Sequence, residues 1–225
     1  MCGRYALHHH PDVVALAFGL AEAPQFAARY NIAPMSNVPI VRADAHGARR
    51  AVTVRWGLLP RWAKDPKFAA KMNNARAETV AEKPSFREAY RRRRCLLPAS
   101  GFYEWHAAGG RKQPWYIHPR GAELFGFAAL WERWQGPQGP LETCAIVTTE
   151  ANEIMRPIHD RMPVILAAAD VARWLDCRPG NDVAELLRPC PAALLDARMV
   201  STAVNHARNE SPALIEPLRA GASGR

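Results

Sequence analysis

Apolar and polar positions alternate in some stretches and cluster in others, dividing the chain into short elements. "PDVVALAFGL" (11–20) reads as a short helix with Pro11 in its first turn. "NVPIVRADAHGARRAVTVRWG" reads as a β-hairpin, with strands near 37–43 and 50–56 around a His46-Gly47 turn. A Pro-punctuated basic and aromatic loop follows. "PSFREAYRRR" (84–93) then reads as a helix and "CLLPASGFYEW" (95–105) as one mostly buried strand. "QPWYIHP" and "AELFGFAALWERW" form a second hairpin candidate, and "LETCAIVTTEA" another strand. Pro157 interrupts "NEIMRPI", a helix or turn. "RMPVIL" reads as a strand, "DVARWLD" and "DVAELLR" as short helices, and "RMVST" as a late strand. Strands and short helices mix without βαβ alternation. This predicts an α+β fold, a single domain with a mixed or barrel-like sheet core and short flanking helices. No repeat, linker or composition break appears, so one domain is expected over 1–219, with 220–225 as a disordered tail.

Composition narrows the class. At 225 residues, 48% hydrophobic and 23% charged, the chain is ordinary for a soluble globular protein with a sizeable core. No apolar run approaches the roughly 20 residues of a membrane span, and no secretory leader is visible. A cytoplasmic, monomeric protein is expected. Thirty Lys+Arg against 21 Asp+Glu leave +9, which raises the odds of a polyanion partner. The five cysteines, at 2, 95, 144, 177 and 190, form no CxxC. Neither a zinc ribbon nor a disulfide framework is indicated, and no metal or cofactor is called for. Cys95, Cys144, Cys177 and Cys190 read as small buried hydrophobes.

Cys2 is different, because a terminal position normally packs against nothing. Removal of Met1 would leave its thiol beside a free α-amine. That 1,2-aminothiol condenses with an aldehyde to an imine, and the sulfur then closes a five-membered thiazolidine. Closure is intramolecular and gains a large effective molarity. The alternative is an unremarkable early cysteine. In "GFYEW", Glu104 stands between aromatics on a buried strand, where a raised pKa suits proton shuttling; pairing with an arginine is the other reading. "IHDRMP" sets His159 between a loop and a strand, beside Asp160 and Arg161. "HHH" (8–10) reads as exposed loop. In "NNARAET", Asn74, Arg76 and Glu78 share one face if the segment is extended. Arg4, Arg61, Lys64, Lys67, Lys71 and Arg76 lie near Trp56, Trp62 and Phe68 in sequence. Cations interleaved with rings suit single-stranded nucleic acid. "RRRR" (91–94) reads as a solvated helix end.

"MCGRY", "NARAET", "GFYEW" and "HDRMP", in that order, together with "RYNIAP", "WGLLPRWAKD" and "AVNHARNESPALIEP", resemble one family. The chain is similar, from residue 2 to about 217, to the SOS-response-associated peptidase (SRAP) family, whose members shield abasic sites in single-stranded DNA. The resemblance implies a single α+β domain with a cationic groove. It makes Cys2 the nucleophile that becomes the thiazolidine. Asn74 holds the sugar or linkage, Glu104 handles the proton of the amine, and His159 assists ring opening and crosslink reversal. Arg4, Arg76 and Arg161 fall at phosphate-facing positions, and Pro34 and Trp62 in segments that wedge against bases. A secondary strand-cleaving lyase activity and self-removal of Met1 accompany this reading. It expects the Cys2 sulfur to open onto a cationic trough, and it collapses if that sulfur is both entombed and remote from any such trough. Two other readings remain: a cysteine-type peptidase with Cys2 as nucleophile, His159 or Glu104 as base and Asn74 in the oxyanion pocket, and a non-catalytic single-strand-binding module.

Overall fold

The computed structural model describes residues 2–218; Met1 and the expected tail lie outside the described residues. The first half of the chain comprises β1 (Tyr5–Leu7), α1 (Pro11–Phe18), β2 (Arg29–Ile32), β3 (Asn37–Ala43), β4 (Arg49–Trp56), β5 (Asn74–Arg76), α2 (Arg87–Arg92) and β6 (Arg94–Ala99). The second comprises β7 (Gly101–Ala108), β8 (Arg111–Pro119), β9 (Phe125–Gly136), β10 (Gly139–Glu150), β11 (Arg161–Pro163), α3 (Val171–Leu175) and β12 (Leu195–Met199). Single turns of 3-10 helix fill several loops.

Two sheets organise these elements. In one, β10, β4, β3, β6 and β9 pair in that order, and β9 pairs back to β10, closing a ring; β5 and β11 add to β10. The other runs β12-β8-β7-β1-β2. The main core lies between them, with Tyr5, Leu7, Phe102 and Ile117 of the open sheet joining Val41, Leu96, Phe127 and Ile146 of the ring. Tyr103, Tyr116 and Ala6 face the other way, against Val200, Val204 and Leu214 of the C-terminal turns. The open sheet is therefore covered on both faces. Among the described residues no helix is long and apolar enough to cross a membrane.

Local turn chemistry accounts for what the pattern predicted well. The β3–β4 hairpin closes where Asp44 Oδ1 accepts from the N–H groups of His46 (2.8 Å) and Ala48 (3.0 Å). Helix α1 begins at Pro11 and stops at Gly19, which takes a left-handed φ of 63°.

Several expectations are corrected. Residues 95–105 form two strands in different sheets rather than one, parting at Ser100, whose N–H bonds Ala6. "QPWYIHP" and "AELFGFAALWERW" do not pair. The former turns back on β7 through Gly109-Gly110, at φ 56° and 77°, and the latter pairs with β10. "RMPVIL" keeps only three residues as strand, "DVAELLR" is a single 3-10 turn, and the late strand starts earlier, at Leu195. His8 and His9 are half-buried rather than exposed: His8 stacks on Tyr30 (5.1 Å) and on His9 (4.7 Å), and burial lowers its pKa to about 4. The "RRRR" run splits. Arg91 and Arg92 are exposed, whereas Arg94 is buried and donates to the carbonyls of Trp174 (2.7 Å), Tyr90 (2.9 Å) and Asp176. Cys177 is half-buried; Cys95, Cys144 and Cys190 are buried as expected.

The step from ring to open sheet depends on Gly101. A Cβ there would stand 2.5 Å from Tyr116 Oη and 2.6 Å from the Ile117 carbonyl oxygen, one of them backbone that cannot yield. Gly101→Ala should lower stability by about 1–3 kcal/mol, read from urea midpoints; an unchanged midpoint would show that β8 gives way freely.

Candidate active site

Strand β10 switches partners along its length, and the switch builds the site. Its first part lies between β9 and β4, with Thr143 and Cys144 opposite Arg55 and Trp56. Beyond Ile146 the neighbours change. β5 runs parallel on one side, with Arg76 opposite Thr148, and β11 antiparallel on the other, with Pro163 opposite Thr148 and Arg161 opposite Glu150. "NAR" and "DRMP", 83 residues apart at Glu78 and Arg161, thus flank one strand end. Arg161 donates to both Glu78 oxygens (2.5 and 2.9 Å) and to the Thr148 carbonyl (2.7 Å). That guanidinium holds Glu78 below the ordinary carboxylate range.

The N-terminus arrives from the other sheet. β1 pairs with β7 at Tyr5–Phe102, and Tyr103 N–H bonds the Arg4 carbonyl (2.9 Å). Extending this register sets Gly3 opposite Glu104 and Cys2 opposite Trp105. Asn74 Nδ2 then donates to the Cys2 carbonyl (2.8 Å), joining β5 to the N-terminus. The amide oxygen of Asn74, Oδ1, is buried without a hydrogen-bond partner among the described residues. An acceptor held in that state favours a donor brought by a ligand.

Electrostatics follow burial. Cys2 is fully buried in the chain that still carries residue 1, and burial, then the Glu104 charge, push its thiol far above the ordinary range. Glu104 is 3% exposed, on the same face of β7 as Phe102 and opposite Trp115 on β8. Burial raises its carboxyl above 4.5, and the positive charge of the N-terminus, then that of His159, pulls it part of the way back. The expected opening of the sulfur onto a trough is corrected: Cys2 continues β1 inward and is sealed into the core.

His159 lies on the turn between β10 and β11. His106, on β7, anchors that turn with Nδ1 2.7 Å from the Pro157 carbonyl. A carbonyl only accepts, so His106 Nδ1 carries the proton. His159 Nδ1 sits 2.9 Å from the Arg161 N–H and 2.9 Å from Asp160 Oδ1. One ring nitrogen cannot serve both at once. Neutral, it accepts from the fixed N–H, which puts the ring proton on Nε2; protonated, it faces Asp160.

Cys2, Asn74, Glu104, His159, Arg76 and Arg161 therefore come from both sheets to one end of the ring. Arg76 is exposed there. Arg4 is half-buried and committed inward, to Asn31 Oδ1 (2.7 Å) and the Val204 carbonyl (2.8 Å). Pro34 is half-buried just beyond β2, and Trp62 is 55% exposed, edge-on to Phe68 at 5.4 Å. Trp56, grouped with them from sequence, is fully buried and stacks on nothing outside. Its Nε1 donates to the Asn73 carbonyl (2.8 Å), fixing the residue before Asn74. Arg61 lies 3.5 Å from the buried Glu132. Sequence reasoning missed Trp56 as a support and His106 as an anchor; neither carries a local signal of that role. A cavity of about 800 Å³ lies at the opposite end of the ring, by the 44–47 turn and α3. Its arginines have partners: Arg94 in three carbonyls, Arg173 with Glu185, Arg178 with Asp176.

The class this architecture defines is an α+β protein that seals an N-terminal cysteine beside a desolvated carboxyl. The chain belongs to the family described as SOS response associated peptidase (SRAP), matched over residues 1–207. It is 42% identical over 223 residues to the abasic site processing protein YoqW of Bacillus subtilis (strain 168), covering 96% of this chain and 99% of that one. It is 35% identical to the abasic site processing protein HMCES of Gallus gallus, covering 85% of this chain and 67% of the other. A crystal structure from Bacteroides thetaiotaomicron superposes with a TM-score of 0.85 at 26% identity, covering 96% of this chain and 100% of that chain.

The raised Glu104 carboxyl has a stability signature. Folding favours its protonated form, so this contribution is full below 4.5 and is lost as pH rises through the folded value. Glu104→Gln, neutral throughout, should gain stability relative to the parent as pH climbs above 4.5. Urea unfolding across a pH series checks this, and a difference that does not change with pH would refute it.

Proposed function

We propose that the protein captures abasic sites in single-stranded DNA by forming a covalent thiazolidine between Cys2, after Met1 is removed, and the ring-opened sugar aldehyde. The observation that carries this reading is the hydrogen bond from Asn74 to the Cys2 carbonyl, which holds the terminal residue beside Glu104. The names of the relatives favour the lesion as target.

The chemistry starts at nitrogen. Removing residue 1 turns the Cys2 amide into an α-amine, whose pKa near 7.7–8.0 leaves roughly a tenth as free base at neutral pH. The amine adds to the aldehyde carbon, and the carbinolamine loses water to give an imine. Glu104, whose carboxyl burial raises, is the group placed to supply the proton for the departing hydroxyl. The sulfur then adds to the imine carbon while its proton passes to nitrogen, closing the ring. Asn74 Oδ1 and Nδ2 orient the sugar and the terminal residue. His159 exchanges the proton needed to open the furanose and, in reverse, to release the adduct.

A buried thiol with a raised pKa argues against the peptidase reading. Attack on an amide needs a thiolate, which positive or polar surroundings must stabilise. Here burial and a neighbouring carboxyl do the opposite. Addition to an imine after amine attack asks less of the sulfur. For phosphate contacts, exposed Arg76 is the leading group; Arg4 and Arg161 shape the groove from behind their internal partners. Pro34 and Trp62 supply apolar surface for the bases.

Intact-mass spectrometry with an oligonucleotide carrying one abasic site should show loss of the methionine mass and a single adduct at minus one water. Nα-acetylation or Cys2→Ser should abolish the stable adduct, whereas its persistence in an acetylated protein would end the proposal. Glu104→Gln should slow capture about 10²-fold without weakening binding to undamaged strands; equal losses in both would make Glu104 purely structural. Arg76→Ala should weaken binding and flatten its salt dependence by about one unit of slope, and an unaltered slope would remove Arg76 from the interface.

A further inference from the structure

Met35 is the one non-glycine residue with positive φ, 70°, among the described residues. A side chain in that left-handed region is strained, and such strain persists only where the surroundings enforce it. They do so here. Met35 N–H bonds the Trp56 carbonyl at 2.7 Å, and Trp56 N–H bonds the Ser36 carbonyl at 2.9 Å, clamping the turn after Pro34 onto the end of β4. The same tryptophan donates from Nε1 to the Asn73 carbonyl. Met35 and Asn73, the residue before Asn74, are thus hung from one residue, on the end of the ring where Asn74 reaches Cys2.

The conformation points the side chain outward. Met35 is 40% exposed, one of few large apolar residues to be so. Its sulfur spans Gly57, where a Cβ would stand 3.1 Å from Met35 Sδ and 2.7 Å from the Ala69 carbonyl oxygen. Ala69 belongs to the 3-10 segment Pro66–Lys71, in which Lys67 and Lys71 are exposed. A flexible, polarisable thioether therefore stands next to half-buried Pro34 and beside the segment that carries Lys67 and Lys71. Burying it would have relieved the exposure, and a glycine would have relieved the strain; the chain does neither.

We infer that Met35 is a base-contacting residue, packing its thioether against the face of an unstacked nucleobase next to the lesion. This rests on the reading of the protein as a binder of abasic single strands and adds to it a residue that senses the neighbouring base. Thioether sulfur packs favourably on aromatic rings, and base faces are available in every sequence, so the contact favours bases over bare backbone without selecting one base. It involves no charge, which separates it from the arginine and lysine contacts.

The test uses fluorescence anisotropy with labelled single strands carrying one tetrahydrofuran abasic analogue, which lacks the aldehyde and reports non-covalent binding. One strand keeps its flanking bases; in the other, the flanking nucleotides are replaced by the same base-free analogue. Met35→Gly should bind the base-bearing strand about 3- to 10-fold more weakly. Its affinity for the base-free strand and its salt slope should match the parent, and its melting temperature should be no lower, because glycine relieves the strained φ. Equal weakening on both strands, no weakening, or a lowered melting temperature would each overturn the assignment, the last by making Met35 a packing residue. If the unaltered protein binds neither strand, the abasic-site reading fails first. If it binds both equally, only the Met35 inference fails.

Discussion

The hydrogen bond between Asn74 Nδ2 and the Cys2 carbonyl is the constraint on which the site depends, because it ties a chain terminus to the interior of the fold. Terminal residues fray unless something beyond their own strand holds them. β1 contributes only three residues, and its pairing with β7 runs out near Arg4. Without Asn74, Cys2 would be held by packing alone. With it, the terminal residue is placed relative to both sheets at once, since Asn74 belongs to the ring and Glu104 to the open sheet. Support for Asn74 continues inward through Asn73 to Trp56, a fully buried indole. The candidate site is thus tied to a fully buried residue of the core.

That arrangement follows from a strand that outlives its neighbours. β10 extends past the end of β4 and parts from β9 after Ile146, and the edges so exposed recruit β5 and β11. Each recruit is three residues long and has no stability of its own. The candidate site side chains they carry are held by this pairing and by the Arg161–Glu78 pair across it. Much of the positive charge is committed in a similar way. Arg94 stitches α2 and α3 to β6 through carbonyls, and Arg93 and Arg61 surround Glu132. The net +9 therefore overstates the charge free to meet a polyanion, and the cations that remain exposed near the site gather on the 61–76 segment.

The sequence reveals elements whose signals are local. The helix at Pro11 and the hairpin at His46-Gly47 were legible because capping and turn residues sit beside them. The break at Ser100-Gly101 was not, since an unbroken apolar run says nothing about which sheet each half joins. The Gly109-Gly110 pair did carry a hairpin signal, and weighing it would have paired β7 with β8 correctly. Among site residues, Cys2, Asn74, Glu104 and His159 were nameable from their chemistry and from the family motifs. Their meeting was not, because it depends on a parallel pairing between β5 and β10 and on a register continued past β1. Trp56 shows the limit of composition. An aromatic among basic residues reads as a stacking platform, yet its neighbours in the fold enclose it completely. Trp62, in the same stretch, stays outside because a proline-bounded loop carries it away from the ring.

Burial of the sulfur is best understood together with burial of Glu104. A thiol open to solvent beside a free amine would be oxidised, or would condense with any small aldehyde. Desolvation suppresses the thiolate, and with it both the nucleophilicity and the oxidation that thiolate character brings. The same desolvation raises the Glu104 carboxyl, which favours the acid form that the proposed loss of water from a carbinolamine would use. In the proposed capture, one environment would therefore quiet the sulfur before an aldehyde arrives and favour the acid form of Glu104 for when it does. The amine would be the group least hindered by this arrangement, because its attack requires the neutral form that a low dielectric favours. Under that proposal, selectivity for a lesion would follow from the order of events: only an aldehyde carried to the amine by a bound strand would reach the stage at which the sulfur is needed.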